Sequence, residues 1–523
     1  MACHWVSVWE TCSSCREAAS ARVLLLCRDI VEHLRGQTVV CAVGIVACGS
    51  FAGNGDGAPV GGGGGGLGNL GGVGATGAGA ATDGGGAIGA QGGGAGAGGS
   101  APSCAPGLPA AFSAAPNSLS LPVARCGVNF DAVGKASGAL KYTVMDLATT
   151  AGLPDLVVHQ DDCDPALGHS RWDVYAGAVT GLAPTPFPFA LPAPRCGVAF
   201  DRPARSSGAM KYSLLDVTGD RVVDLVVHKD DCDSSLGATH WEVYVAGPAG
   251  FALAPVVFTL PAARCGMAWD KPGSPTGALE YSLMDLSGDG LADLVVHQDD
   301  CDGAIGYGRW DVYPASVAGF APKPVAYALP AARCAVSWDK PARNTGAVAY
   351  ALFDMSGDGR SDLVVLRDDC DDAIGYGRWD VYPGTAKGFA AGPSPYTLPA
   401  VRCGVPWDAA SRDFGAVHYS LLDISCDGLP DLVVTRDACD AVIGQSHWDV
   451  HAGAGTGLAQ SPAALAVPAP RCGASFDSHG KSIGALHFTL MAWSPTDHPS
   501  LLVTHDTCDA TLGAAHWDYY PAQ

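Results

Sequence analysis

The chain has 523 residues, with 52 acidic against 30 basic side chains and a formal net charge of −22. That balance repels nucleic acid and anionic membrane surfaces, excludes nucleic acid as a partner and leaves divalent cations as natural ones. Of the 20 cysteines, twelve fall at regular spacing, which points to a disulfide framework formed in an oxidising compartment outside the cytoplasm.

Residues 1–47 have the composition of a leader. Arg35 precedes an apolar run from Val39 to Ala47 that is too short to span a bilayer, and Cys48 follows. Ile45-Val46-Ala47-Cys48 resembles a bacterial lipobox, in which the cysteine is lipidated and becomes the first mature residue; an ordinary cleaved secretory signal is the alternative. The region ahead of the run is long and partly acidic, so Val31 is a candidate alternative initiator. Residues 48–104 are mostly Gly and Ala and form a flexible tether, whose r.m.s. reach for about 50 residues is roughly 40 Å. A lipid at one end would place the body on the outer membrane or cell surface, with membrane contact through the anchor only. Without the lipid, the body would be periplasmic or secreted.

Residues 105–523 are a six-fold repeat. Arg-Cys pairs fall at Cys126, Cys196, Cys265, Cys334, Cys403 and Cys472, which mark repeats 1 to 6, and tryptophans recur at Trp172, Trp241, Trp310, Trp379, Trp448 and Trp517 with a constant spacing of 69. Each repeat of about 69 residues has four predicted strands, in repeat 3 "ALEYSLMDL", "ADLVVHQ", "GRWDVYP" and "FAPKPVAYALP", separated by Gly, Asp and Pro turns. The expected fold is an all-β, six-bladed β-propeller. The chain stops at a third strand, while residues 111–126 match a fourth strand ahead of repeat 1, so the N-terminal strand should complete the last blade.

Between the first two strands lies the frame D-x-[ST]-G-D-G-x-x-D. Calcium takes six to eight oxygens, and a tight loop supplies them from alternate positions with glycine at the sixth. In repeat 3 the donors would be the side chains of Asp285, Ser287, Asp289 and Asp293, the carbonyl of Leu291 and a water. The matching set in repeat 4 is Asp354, Ser356, Asp358, Arg360 and Asp362. Repeat 2 keeps Asp216, Thr218, Asp220 and Asp224 but has Arg221 for the sixth-position glycine, and repeat 5 keeps Asp423, Ser425, Asp427 and Asp431 but has Cys426 at the fourth position. The loops from Asp146 and Ala492 have lost acids. Two complete Ca2+ sites, two altered ones and two empty ones are expected.

This loop, the "DLVV" strand after it, the W-x-V-Y strand and the Gly-Phe turn together resemble the FG-GAP or VCBS repeat family. The resemblance covers residues 111–523 and implies a calcium-stiffened propeller used for recognition or display, as in integrin α heads and many bacterial surface proteins. It implies no particular ligand.

The twelve regularly spaced cysteines are Cys126, Cys196, Cys265, Cys334, Cys403 and Cys472 of the Arg-Cys pairs and Cys163, Cys232, Cys301, Cys370, Cys439 and Cys508 of the "DDCD"-type loops. Two schemes use all twelve: within a repeat, as Cys265 with Cys301, or to the next repeat, as Cys301 with Cys334, leaving Cys126 for Cys508. Cys104 and Cys426 remain and should lie on one face, which makes them a candidate pair. The arginines before the cysteines, such as Arg264 and Arg333, should pair with aspartates of the cysteine loop. The recurring tryptophans are first of all packing between blades; a sharper reading makes them ligand contacts of a lectin cleft. His159, His228 and His297 align with Leu366, Thr435 and Thr504, so no transition-metal site is common to the repeats.

No nucleophile elbow, HExxH helix, P-loop or dinucleotide fingerprint is present. The expected function is a non-catalytic, monomeric, calcium-binding surface propeller for recognition, adhesion or display of a protein or glycan partner. A multivalent glycan-binding lectin is the alternative, and an enzyme with a site on the ring axis is the third reading.

Overall fold

The computed structural model describes residues 104–147, 152–220, 222–493 and 497–523. The leader with Val31 and Cys48, the tether to residue 103, and Arg221 lie outside the described residues. Within them the protein is all-β, without helix, in a β-propeller arrangement of six sheets.

Repeat 3 shows how one unit is made. Its four strands are Leu279–Met284, Asp293–Asp299, Arg309–Tyr313 and Val325–Ala328, each antiparallel to the next. The second strand, Asp-Leu-Val-Val, is β-branched and apolar and is buried on both faces, with Leu294, Val295 and Val296 fully inaccessible. The fourth strand buries only Tyr327, the alternation of a strand with one face in water. Between the first two strands the register slips at His297, so that Glu280 opposes Gln298 while Tyr281 opposes Val296. The same bulge falls at His159 and His228, and it turns each ring inward against Trp172, Trp241 or Trp310.

The core lies between sheets rather than within them. Each of six apolar clusters combines two consecutive repeats; one joins Val295, Trp310 and Tyr327 of repeat 3 to Trp338, Val348 and Tyr350 of repeat 4. All six periodic tryptophans are fully buried. Each indole N–H donates to a carbonyl of the following repeat, at 2.6 Å for Trp310 to Trp338 and 2.7 Å for Trp517 to Phe130. The reading of these tryptophans as ligand contacts is therefore corrected: their faces are packed and their only donor is already used.

The two chain ends are spliced. Asn117–Ser120 pairs antiparallel with His516–Tyr520 and supplies the fourth strand of repeat 6, as its sequence foretold. Phe112 bridges Ala522 and its amide donates to Ala466 at 2.8 Å, so residues 110–113 stand against repeat 6 where the Gly-Phe turn stands in the other repeats.

Candidate cation sites and the cysteine face

Antiparallel strands place the acidic loops at one end of the sheets and the Arg-Cys turns and cysteine loops at the other. At the cysteine end the chain makes a two-residue type I′ turn: Met267 donates to the Arg264 carbonyl at 2.7 Å, with Cys265 at φ +49° and Gly266 at +71°. That turn aims Cys265 at Cys301. The structure joins Cys126–Cys163, Cys196–Cys232, Cys265–Cys301, Cys334–Cys370, Cys403–Cys439 and Cys472–Cys508, the within-repeat scheme, and adds Cys104–Cys426. Seven disulfides accord with an oxidising, extracytoplasmic environment. Among the described residues no helix is long and apolar enough to cross a membrane.

Arg264 donates through Nε to Asp299 at 2.8 Å, and through Nη1 to Asp311 at 2.6 Å and the Tyr313 hydroxyl at 3.3 Å. Burial opposes the charge, but the bonds to Asp311 and Tyr313 outweigh it and hold the guanidinium above the ordinary arginine value. Arg333 repeats the arrangement on Asp368, Asp380 and Tyr382. Pairing with the cysteine-loop aspartate was legible in the sequence; the Asp and Tyr of W-D-V-Y were not assigned, although they recur with the same period. Repeat 5 departs from the pattern, with His451 in the tyrosine position and Arg402 Nη1 buried without a partner.

At the other end the acidic loops share one cradle. In repeat 3, Asp285 accepts the amides of Gly288 at 2.6 Å and Gly290 at 2.7 Å, and Asp289 accepts that of Leu291 at 2.9 Å. Asp293 accepts Ser287 at 3.1 Å and, from the next hairpin, Ala315 at 2.9 Å. Repeats 4 and 5 reproduce this with Asp354, Asp358 and Asp362 and with Asp423, Asp427 and Asp431. Repeat 2 keeps Asp216, Asp220 and Asp224 on the amides of Gly219, Val222 and Ala246. The glycines are needed where they stand: Gly288 and Gly290 have φ +77° and +87°, and Cys426 adopts +57° in the fourth position of repeat 5.

The last acid of each of these four loops, Asp224, Asp293, Asp362 and Asp431, is inaccessible to solvent. Burial pushes each carboxyl up to about 6, and for Asp293 the charges of Asp285 and Asp289 add to the shift. Carboxylates, a hydroxyl and a backbone carbonyl are all hard oxygen donors, the chemistry that suits calcium rather than a soft metal. In repeat 6, Ser500 takes the place of the last acid and its hydroxyl accepts the Ala522 amide at 3.0 Å, so the cradle's link to the hairpin survives without the charge. His159, His228 and His297 are buried and pack edge-on against Trp172, Trp241 and Trp310, and burial pushes their rings down to about 3.

No family model matches the chain, and no curated protein matches it. Among solved structures it is similar to the Photorhabdus luminescens Tc holotoxin pore, at 18% identity and TM-score 0.43 over 79% of this chain and 15% of that one. It is also similar to the TcdB2-TccC3 structure, at 17% identity and TM-score 0.31 over 79% and 16%, and to the Dos1 propeller, at 11% and 0.26 over 73% and 79%. The chain spans about a sixth of the length of the first two of these chains.

Proposed function

We propose that this chain is an exported, non-catalytic propeller that binds calcium at one end and presents a recognition surface to a protein or glycan partner. The six sheets act as six blades of a ring closed by residues 110–120, and Cys48 with the tether anchors the ring to a membrane as a lipoprotein. The observation that supports this reading is the recurrence of one carboxylate cradle in repeats 2 to 5, each with a solvent-inaccessible acid whose carboxyl is pushed up to about 6. At the opposite end Arg264 is paired with Asp299 and Asp311, and Arg333 with Asp368 and Asp380. Calorimetric titration with calcium tests the reading: two to four sites support it, and the absence of binding heat refutes it.

A glycan-binding reading keeps one specific support. Tyr307 and Tyr376, in equivalent loops of repeats 3 and 4, are 59% and 52% exposed, beside the Arg309–Asp302 and Arg378–Asp371 pairs. A glycan array that lights up and loses signal on Tyr307→Ala, while Trp310 variants act only through stability, would select it.

A further inference from the structure

One cross-strand pair sets repeat 6 apart. Beside the bulge, the first two strands oppose Lys141 to Gln160, Lys211 to Lys229, Glu280 to Gln298, Ala349 to Arg367, His418 to Arg436 and, in repeat 6, His487 to His505. Only there are both members histidine. Directly opposed residues of an antiparallel pair share a face of the sheet. The His487 and His505 ring centres stand 4.7 Å apart, with their planes tilted by 40°. Neither residue is fully buried, so solvent reaches the pair. Two imidazoles that share one ion, at nitrogen–metal distances of about 2.0–2.1 Å and an angle of roughly 90–110°, have centres about 4.5–5.2 Å apart. The observed spacing falls within that range.

The pair stands at the seam between repeats 6 and 1. A Cβ on Gly513 would meet Asp131 Cα at 2.8 Å and the carbonyl of Thr504, the neighbour of His505, at 2.9 Å. Across the other seams the residue matching His487 reaches the aspartate that matches Asp131. Lys141 pairs with Asp201 at 3.7 Å, Lys211 pairs with Asp270, and His418 turns Nδ1 to the Asp477 carbonyl at 3.3 Å. A carbonyl that takes one ring N–H fixes the tautomer and leaves the other nitrogen's lone pair free for an ion. Burial, and then the charge of His505, hold the His487 ring below its ordinary value against the pull of the Asp131 carbonyl and carboxylate, so protons compete little for that lone pair at neutral pH. The Asp131 carboxylate is already engaged by Lys135 at 3.1 Å, which leaves water to complete a metal shell.

We infer that His487 and His505 bind one divalent transition-metal ion of the imidazole-preferring class, Zn2+, Ni2+ or Cu2+, with water in the remaining positions. Imidazole suits these ions and not calcium. The pair also lies at the cysteine end of the sheet, opposite the acidic loops, so this site does not rest on the calcium reading. An ion there clips the first two strands of repeat 6 together beside the seam and, by binding the folded pair alone, stabilises it.

The test is zinc calorimetry on the full chain, with disulfides intact, any free thiol alkylated and calcium in excess, together with melting in chelator and in zinc. His505→Gln installs the residue of repeats 1 and 3, and His487→Ala that of repeat 4, so neither variant should melt below the parent in chelator. Each should lower the affinity for one zinc equivalent about tenfold or more, the scale on which even the outer partners of a metal ligand matter. Each should also lose the rise in melting temperature that zinc gives the parent. One equivalent of Cu2+ should show coupling to two imidazole nitrogens by electron paramagnetic resonance in the parent and not in either variant. Absence of zinc and copper binding by the parent, or affinities equal within about twofold in the parent and both variants, would overturn the inference whatever the acidic loops do with calcium.

Discussion

Single residues carry more of this structure than their conservative look suggests. Ala335 occupies the second turn position, at φ +60°, that glycine holds in the other five Arg-Cys turns. A Cβ at Gly266 would meet nothing within 4 Å, so the alanine gains no packing for its strained backbone. Ala335→Gly should stabilise the fold by up to about 1 kcal/mol in denaturant unfolding, with the greater freedom of glycine in the unfolded chain setting the upper bound. The buried histidines make a pH prediction. Their folded value near 3 lies below the ordinary 6.5, so their stability is intact above pH 6.5 and is lost as pH falls toward 3. At pH 5 each should cost about 2 kcal/mol relative to neutral pH. His297→Leu, the residue that repeat 4 has at this bulge, should remove that share, so its stability relative to the parent should improve by about 2 kcal/mol between pH 7 and pH 5; a pH-independent difference would count against the neutral buried ring. Why these histidines recur in three repeats was not legible in the sequence, because a bulge leaves no mark in apolar periodicity.

Each strand and loop was more readable than the contacts between them. Alternation, Gly-Asp punctuation and the Asp-Leu-Val-Val run located all four strands of a repeat, since those signals arise from burial within one unit. The tryptophans were half understood for the complementary reason: their partner is a carbonyl 28 residues on, in the next repeat, and a recurring aromatic looks alike whether it lines a cleft or fills a seam. Trp310→Phe keeps most of the volume and leaves the Trp338 carbonyl unpaired, which should cost about 1–3 kcal/mol, measured by denaturant unfolding. The acidic loops bear a similar test. Asp289 is exposed and Asn keeps the oxygen that accepts the Leu291 amide, so Asp289→Asn should alter melting little in chelator. In calcium the same variant should lose part of the ion's stabilisation; equal behaviour under both conditions would make the loop a plain turn.

Across the whole molecule the repeats are held by interfaces that no repeat owns: the six shared cores, the indole-to-carbonyl bonds and the spliced ends. The period disclosed that a fourth-strand segment precedes repeat 1, and that segment, Asn117–Ser120, pairs with His516–Tyr520. The added bond between Ser113 and Pro521, at 2.8 Å, was not visible, since the short tail after Tyr520 has no pattern of its own. The within-repeat disulfides were one of two open schemes, separated only by the turn that aims each first cysteine. Calcium at the opposite end would act on this architecture by binding the folded loops and not the unfolded chain, which adds stability at each occupied site. The measurement that bears most directly on this function is the thermal unfolding of the full chain in chelator and in excess calcium, with disulfides intact. A melting temperature several degrees higher in calcium, accompanied by two to four binding equivalents, is the expected result. Identical melting curves with no calcium bound would contradict it and leave the disulfides and buried seams as the whole support of the propeller.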